Sequence, residues 1–353
     1  MAYEASGLTS TSGSGIVVVI PFYNGSAFLE RSVSSVLSQS LPADEVIVVN
    51  DGSSAPEAEW VRRFCQKRGI RLLDQANGGQ AAARNAGVAA TRSRYICFLD
   101  QDDFFLETHN AVLRAAVPED DSSFGWAYAD LHQADVAGQR YKTSTVKDRA
   151  HHPKTHLVRM LVEDMHIQPS ASIIDRRAFE AVGGFDAQFR GYEDDDLFTR
   201  LFRAGFSNVF VDQPVTVWCV NDGSTSFSIH MARSRLRYCL KLTYALPDVR
   251  DLNYMFMRDC IIPRFAKQIL RDARRVQREG HKFYDYRDEI YASTAQCISL
   301  MLANKSVKHG QRRMLNLRWF QVRVARFGVF AALLGRRQSA WQSFPPGLLK
   351  NAI

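Results

Sequence analysis

The sequence lacks the cysteine pairs, signal segments and long apolar runs that define several protein classes. Its six cysteines are scattered without a C-x-x-C pair, which argues against a disulfide framework or a zinc site and predicts free, half-buried thiols. The longest apolar run near the end, residues 327–334, is broken by Gly328 and is shorter than the ~20 residues that cross a bilayer. The N-terminus shows no basic-then-apolar signal peptide, so we expect a cytoplasmic protein.

Acidic residues are also missing from one end of the chain, where ten basic residues and no acidic residue follow Glu289. The net charge of +8 therefore combines two opposite regions. Residues 1–226 hold 21 Lys and Arg against 29 Asp and Glu, whereas residues 227–353 hold 24 against 8. This asymmetry predicts two regions with different partners.

Strand-like and helix-like segments alternate through the first hundred residues. Short apolar runs rich in β-branched residues predict buried strands at 16–21, 45–50, 70–74 and 95–99. Helical spacing of apolar residues predicts helices between them, at 26–39, 57–67 and 79–91. This alternation is typical of an α/β fold whose mostly parallel sheet is flanked by helices and binds ligands at the carboxyl ends of its strands.

The rest of the chain changes character at about residue 226. Up to there the pattern is mixed, with short apolar runs and a helix near 196–203; the runs lie at 170–174, 209–211 and 215–220. Beyond it the spacing is helical, with almost no strand pattern. We therefore predict a flexible leader over 1–15, a folded domain over 16–226 and a basic, mainly helical region over 227–353.

Three acidic clusters lie just past predicted strands, and they begin at Asn50, Asp100 and Glu193. One such cluster is best explained as a helix N-cap. Three at one sheet edge favour a binding site, because crowded carboxylates cost stability unless a cation or ligand compensates. Asp100 and Asp102 are spaced to face one hard cation, and Mg²⁺ or Mn²⁺ held in this way keeps positions free for diphosphate oxygens.

A glycine-rich turn, Asn77-Gly78-Gly79-Gln80, precedes the third predicted helix. Its glycines allow close backbone approach and the helix start favours phosphate, so we interpret the turn as a phosphate cradle. Arg84, one turn into the helix, is placed to reach a diphosphate. The chain has neither G-x-G-x-x-G nor G-x-x-x-x-G-K-[ST], which argues against dinucleotide oxidoreductases and P-loop NTPases.

Six segments, in order along residues 16–226, resemble family 2 glycosyltransferases with the GT-A fold. They are IVVVIPFYNGSAFLERSVSSVLSQS, EVIVVNDGSS, NGGQAAARNAGVAAT, YICFLDQDD, VGGFDAQFRGYEDDDLFTRLFRAG and VWCVNDGSTSFS. The resemblance implies inverting transfer of a sugar from a nucleotide diphosphate sugar, with UDP expected, to a hydroxyl of a glycan or lipid-linked acceptor in cell-surface polysaccharide synthesis. Because no Q-x-x-R-W motif is present, we expect a non-processive enzyme.

The resemblance also implies the donor-binding residues. Pro21, Tyr23 and Asp51 are expected to line the pocket for base and ribose. Arg84 is expected near the base or the diphosphate, and Asp100 at the ribose or in the metal shell.

A metal ligand and a general base are implied in the same way. Asp102 is expected to bind Mn²⁺ or Mg²⁺, Asp194 to be the general base and Glu193 to orient the acceptor. Many family members carry a histidine before the last Gly-Ser, where this chain has Asn221 next to Asp222. The third metal ligand therefore stays open between these two. One base is what an inverting transfer requires.

Two other segments have both a functional and a structural interpretation. The histidines at 151, 152 and 156 are interpreted as a solvated loop, with a mobile lid as the alternative. In the acidic cluster after Glu193, Asp195 is expected to be solvated and Asp196 to begin the helix.

The C-terminal region carries an apolar helical face flanked by arginines. The face consists of Leu317, Phe320, Val324, Phe327 and Ala331, and the arginines are Arg312, Arg323 and Arg326. One hypothesis is a helix lying on an anionic membrane surface, peripheral on its inner face. The other is packing on the catalytic domain or on a second subunit. Nucleic acid is not expected, because no recognition motif for it is present.

Two other function classes compete with an enzyme of this kind. A non-catalytic sugar-nucleotide-binding or scaffolding subunit of a glycan assembly complex is the main alternative, and the carboxylates Asp100, Asp102 and Asp194 argue against it. A nucleotidyltransferase needs a glycine-rich basic loop after the first strand, and the segment from Pro21 to Gly25 is not one.

Overall fold

The computed structural model describes residues 15–220 and 228–326. Two compact units divide the chain, the first ending at Met231 and the second beginning at Ala232. The predicted leader, apart from Gly15, and the predicted boundary between residues 226 and 227 lie outside the described residues.

The first unit is built on one sheet of nine strands, which confirms the predicted α/β class. The strands are β1 Ile16–Phe22, β2 Glu45–Asp51, β3 Arg71–Gln75, β4 Tyr95–Phe98, β5 Phe104–Phe105, β6 Phe124–Ala134, β7 Arg140–Lys142, β8 Ser172–Asp175 and β9 Ser207–Cys219. The helices are α1 Ser26–Leu37, α2 Ala55–Arg68, α3 Gln80–Ala89, α4 His109–Ala115, α5 Leu157–Val162, α6 Arg176–Ala181 and α7 Glu193–Arg203.

The sheet has a parallel half and a mixed half. Its order is β3-β2-β1-β4-β8-β6-β9-β5, with β7 beside β6. The first four strands are all parallel, and β1 is buried along its whole length, as its β-branched apolar run predicts. Because the carboxyl ends of parallel strands meet at one edge, the residues that follow β1, β2 and β4 come together there.

The mixed half differs from its prediction, because β5, β6 and β7 were not predicted and β9 is longer than predicted. Two short runs were expected at 209–211 and 215–220, but β9 is a single strand from Ser207 to Cys219. Register irregularities beside Asp130 in β6 let the paired strand continue through Pro214. A proline that interrupts the apolar pattern is thus accommodated at a bulge instead of ending the strand.

The second unit is helical, as predicted. Its main helices are α8 Ile229–Ala245, α9 Lys267–Val276, α10 Arg287–Ala303 and α11 His309–Arg326. A π-helical segment, Met257–Ala266, leads into α9, and short 3₁₀ turns lie at Arg250–Leu252 and Tyr284–Tyr286. In residues 15–220 and 228–326, none of the helices combines the length and apolar composition that a bilayer crossing needs.

Helix α11 does not pack through the face predicted from the sequence. Leu315 and Val322 are buried, whereas Leu317 and Phe320 are 58% and 60% exposed. Packing within the unit therefore uses the opposite side of the helix, where Trp319 lies against Tyr291 with ring centroids 5.0 Å apart. The last two members of the predicted face, at positions 327 and 331, lie outside the described residues.

Arg312 is also not the surface arginine that the sequence predicted. Its guanidinium donates to the backbone carbonyls of Leu302, of Asn304 at 2.5 Å and of Val307 at 3.1 Å. These carbonyls belong to the end of α10 and the turn after it, where helix carbonyls lack partners. Arg312 therefore ties α11 to this turn.

Candidate active site

Asp51, at the end of β2, organises the glycine-rich turn. Its carboxylate accepts hydrogen bonds from the N–H groups of Gly78 and Gly79, both at 2.8 Å, and from Gln75 Nε2 at 2.7 Å. The two glycine N–H groups thus bind a carboxylate, and the interpretation of the turn as a phosphate cradle is wrong. Asp51 is buried, so these bonds fix the turn to the end of β2.

The turn after β2 has room only for glycine. Gly52 has φ +68°, and a Cβ atom there would stand 2.6 Å from the backbone nitrogen of Asn77. The neighbouring Asn50 donates through Nδ2 to Asp74 at 2.6 Å. An aspartate at position 50 would place two carboxylates in contact here, so asparagine matches its local partner.

The end of β1 is braced by a residue that sequence reasoning missed. Gln101 accepts from the N–H of Tyr23 at 2.9 Å and donates to the carbonyl of Tyr23 at 3.2 Å. Tyr23 is half exposed, and Pro21 is buried within β1. The position of Gln101 between Asp100 and Asp102 was the available signal, but only the fold shows that it reaches β1.

Arg84 joins two carboxylates that are far apart in the sequence, Asp100 and Glu193. It is 2% exposed, and its terminal nitrogens lie 2.6 Å from Asp100 Oδ1 and 3.2 Å from Glu193 Oε1. Gln80, a second residue missed from the sequence, also donates to Asp100, at 2.5 Å. The structure therefore joins Arg84, Asp100 and Glu193, which the sequence had predicted as separate site residues.

The predicted base lies at the start of α7. This helix begins at Glu193, directly after Tyr192 in the left-handed conformation (φ 63°). The N–H of Asp195 donates to Asp194 Oδ1 at 2.8 Å. Burial, together with the charges of Asp195 and Glu193, raises the pKa of Asp194 well above its usual range, and Arg84 opposes this rise. A raised pKa brings a carboxylate closer to the basicity that a general base needs.

Asp196 is not the first residue of α7, contrary to the prediction. It is buried and pairs with Arg200 at 2.8 Å. Arg200 also donates to the carbonyls of Val182 at 2.6 Å and Gly184 at 2.7 Å. This buried pair therefore ties α7 to the glycine turn before it, and the role of Asp196 is structural.

The acidic loop after β4 is the candidate place for a cation. The backbone carbonyl of Asp102 accepts from Arg31 at 2.7 Å. Asp103 accepts from the N–H of Cys219 at 2.8 Å, and burial with the charges of Asp100 and Asp102 raises its pKa well above the usual range. Such concentrated negative charge suits an added cation.

Few side chains in the described part of the chain are available as ligands for that cation. Within residues 15–220 and 228–326, no group of three or more His, Cys, Asp or Glu side chains could hold a metal ion. Two carboxylates, Asp100 and Asp102, nevertheless suit a Mg²⁺ or Mn²⁺ that shares its remaining positions with a diphosphate. The candidates for a third ligand, at positions 221 and 222, lie outside the described residues.

The histidines at 151–156 do not form a solvated loop throughout. His152 stacks on Phe210 with centroids 4.3 Å apart, and its ring nitrogens lie 2.7 Å from Tyr128 Oη and 3.1 Å from the carbonyl of Val146. Burial lowers the pKa of His152 to about 4. The solvated interpretation is therefore wrong for His152, which is a packed, neutral histidine.

The sheet order and the carboxylate-lined edge define the first unit as a GT-A type glycosyltransferase fold. Residues 17–183 match the family model Glycosyl transferase family 2. Residues 167–217 match a model described as the N-terminal domain of galactosyltransferase. Residues 17–183 therefore match family 2 glycosyltransferases, and the resemblance predicted from the sequence segments is confirmed.

Individual relatives agree with this assignment. Over 90 residues the chain is 39% identical to the uncharacterized glycosyltransferase EpsJ of Bacillus subtilis, covering 25% of the chain and 26% of EpsJ. Over 268 residues it is 25% identical to the glycosyltransferase GlyG of Streptococcus pneumoniae, covering 72% of the chain and 84% of GlyG. The matches to EpsJ and two other curated relatives span between 18% and 33% of their lengths.

A solved structure shares the fold. The crystal structure of S. aureus TarS 1–349 in complex with UDP-GlcNAc has a TM-score of 0.63 and 15% sequence identity, covering 92% of both chains. At this identity the likeness establishes the GT-A architecture with C-terminal helices.

Proposed function

We propose that the protein is an inverting, metal-dependent glycosyltransferase that moves a sugar from a UDP-sugar to a hydroxyl of a glycan or lipid-linked acceptor in cell-surface polysaccharide synthesis. The observation that carries this proposal is the meeting of Asp100, Arg84 and Glu193 at the sheet edge, with Asp194 next in the chain. The family 2 domain supports the reaction class. The UDP and UDP-GlcNAc complexes of TarS support UDP as the nucleotide.

In the proposed reaction Asp194 is the general base. Its carboxylate takes the proton of the acceptor hydroxyl while the hydroxyl oxygen bonds to the anomeric carbon. The bond between that carbon and the diphosphate breaks on the opposite face, so the carbon inverts and UDP leaves. No second carboxylate nucleophile takes part. The raised pKa of Asp194 favours this step, because a stronger base accepts the proton more readily near neutral pH.

The remaining roles follow the position of each residue on the sheet edge. Pro21, Tyr23 and Asp51 lie at the ends of β1 and β2, and we assign them to the pocket for base and ribose. Glu193 is assigned to acceptor orientation, because it directly precedes the base. Asp100 and Asp102 would hold Mn²⁺ or Mg²⁺, which, when bound, stabilises the charge of the departing diphosphate.

We also propose an anionic membrane surface as the partner of α11. Leu317 and Phe320 are exposed on this helix, and Arg313 and Arg323 are exposed beside them. The helix contains no acidic residue. An exposed apolar strip between basic side chains is suited to the boundary between acyl chains and anionic headgroups. Such a surface would place the enzyme where lipid-linked acceptors occur.

A donor screen followed by replacement of the base tests the proposed activity. Thermal unfolding is measured with UDP, GDP, CMP and dTDP sugars, with and without Mn²⁺, and a UDP-sugar is expected to raise the midpoint most. Asp194→Asn is then expected to lower transfer at least ~1000-fold while UDP binding stays near that of the wild type, since the base acts only in the chemical step.

Asp212→Asn is the matched control, because Asp212 is an exposed partner of Lys147. It is expected to keep full turnover. Full turnover by Asp194→Asn would refute the base assignment. Donor binding without transfer or hydrolysis in the wild type, across glycan acceptors, would favour the non-catalytic binding subunit instead.

A further inference from the structure

We propose that Arg84 is a positioning residue that holds Asp100 and Glu193 on one guanidinium and so fixes the donor-side loop against the acceptor-side helix. The proposal rests on the proposed function, which assigns Asp100 to the donor side and Glu193 to the acceptor side. Asp100 follows β4 and Glu193 begins α7, and more than ninety residues separate them in the chain. One side chain, from α3, contacts both.

Different terminal nitrogens of Arg84 serve the two carboxylates. Its Nη2 lies 2.6 Å from Asp100 and its Nη1 lies 3.2 Å from Glu193. The planar fork of a guanidinium fixes the angle between such partners, which a single ammonium cannot do. Each carboxylate has a second anchor, Gln80 for Asp100 and the N–H of Gly191 for Glu193. Arg84 is the partner that both carboxylates share.

The surroundings of Arg84 favour an internal role over direct contact with substrate. The guanidinium carbon lies 5.2 Å from the ring of Phe185 and 5.8 Å from that of Phe98. With 2% of the residue exposed, a diphosphate would have to displace a carboxylate to reach its terminal nitrogens. Its Nε is buried and has no hydrogen-bond partner in the described part of the chain. Both terminal nitrogens of Arg84 are therefore engaged by carboxylates of the chain itself.

Loss of the positive charge of Arg84 changes the pKa of the proposed base, an effect that simple destabilisation of the fold would not have. The charged groups with the largest effect on Asp194 are Asp195 and Glu193 on its own helix and Arg84 from α3. The two carboxylates raise the pKa of Asp194 and the arginine lowers it. Removing Arg84 therefore moves the pKa of the base upward, and the acid limb of the rate profile moves to higher pH. Removing the charge of Glu193 moves it the other way.

The test compares Arg84→Gln, Arg84→Lys and Glu193→Gln with the surface control Arg63→Gln, whose partner is Glu59 one helical turn away. Arg84→Gln is expected to lower kcat by roughly 100-fold, as a misplacement of about 1 Å does, and to shift the acid limb to higher pH, because the arginine lowers the pKa of Asp194. Arg84→Lys keeps the charge, so its limb stays near that of the wild type although its kcat falls. Glu193→Gln shifts the limb downward.

Hydrogen exchange supplies a readout that needs no turnover. In Arg84→Gln, protection is expected to fall in both segments that the arginine links, 100–103 and 191–196, while Arg63→Gln changes neither. If Arg84→Gln does not fold, Arg84→Lys still tests the arrangement, because a single ammonium is expected to lower kcat and protection in both segments without moving the acid limb. A wild type without transfer activity would refute the proposed function, and the exchange data would still decide the role of Arg84.

Two results would overturn the positioning role. One is an Arg84→Lys variant whose affinity for UDP falls tenfold or more at unchanged kcat, which identifies Arg84 as a direct donor ligand. The other is an Arg84→Gln variant with the pH profile and exchange pattern of the wild type.

Discussion

Charged side chains are placed differently in the two units. At the candidate site one buried side chain, Arg84, is shared between Asp100 after β4 and Glu193 at the start of α7. In the second unit, pairs such as Arg233 with Glu289 leave both side chains a third or more exposed. Breaking a buried pair leaves an uncompensated charge, whereas an exposed pair contributes little. The charges at the candidate site therefore fix a geometry, whereas exposed pairs such as Arg233 with Glu289 do not.

The largest expected effect, and the strongest test of this comparison, is at Asp51, a buried carboxylate of the first unit that accepts hydrogen bonds from backbone N–H groups. Asp51→Asn is expected to lower the free energy of unfolding by ~2–4 kcal/mol, because one buried N–H then faces an amide N–H. Urea denaturation measures this change, and the affinity for UDP is expected to fall with it. Asp212→Asn, an exposed carboxylate of the same unit, is the control. Equal stability of the two variants would show that the hydrogen bonds of Asp51 to the glycine turn contribute no more to stability than an exposed carboxylate does.

The elements of this site could largely be predicted from the sequence. A strand buried on both faces needs a continuous β-branched run, so β1, β2 and β4 were located to within about two residues. Since parallel strands place their carboxyl ends at one edge, the order of the segments predicts that the residues after β2, β3 and β4 lie along the same edge of the sheet.

The contacts between these elements could not be predicted in the same way. Two of these contacts join residues that are 20 to 80 positions apart in the sequence. They are the hydrogen bonds of the Asp51 carboxylate to the glycine turn and the contact of Gln101 with Tyr23. A local sequence pattern cannot predict contacts between residues so far apart in the chain. The same limit explains His152, which reads as a polar loop residue but packs on Phe210. On α11, two apolar stripes of similar quality exist, and only packing decides that Leu315 and Val322 are inside.

The second unit offers a smaller effect that sharpens the comparison, since one of its arginines is structural and the next is not. Arg312→Ala is expected to lower the free energy of unfolding by ~1–3 kcal/mol, because the three carbonyls it caps lose a charged donor. Its neighbour Arg313 is exposed, so Arg313→Ala serves as a matched control. Chemical denaturation compares the two, and equal loss in both variants would contradict a capping role for Arg312.

The smallest expected effect concerns the exposed strip of α11. Replacing Leu317 and Phe320 by serine together is expected to reduce sedimentation with vesicles rich in anionic lipid several-fold, with no loss of thermal stability, because both residues are more than half exposed. Vesicles of neutral lipid and the variant Tyr244→Ser, an exposed aromatic on α8, serve as controls. Salt should weaken binding of the wild type, since the arginines act through screened charges.

Other outcomes of the vesicle experiment assign the strip to a different partner. If the wild type ignores anionic vesicles and light scattering shows an oligomer that the double serine variant loses, the face is a subunit interface. If the variant unfolds instead, the strip is covered by another part of this chain. Either result would mean that the basic surface of α11 holds protein segments in place, as Arg84 does at the candidate site. The two units would then differ only in how deeply such charged side chains are buried.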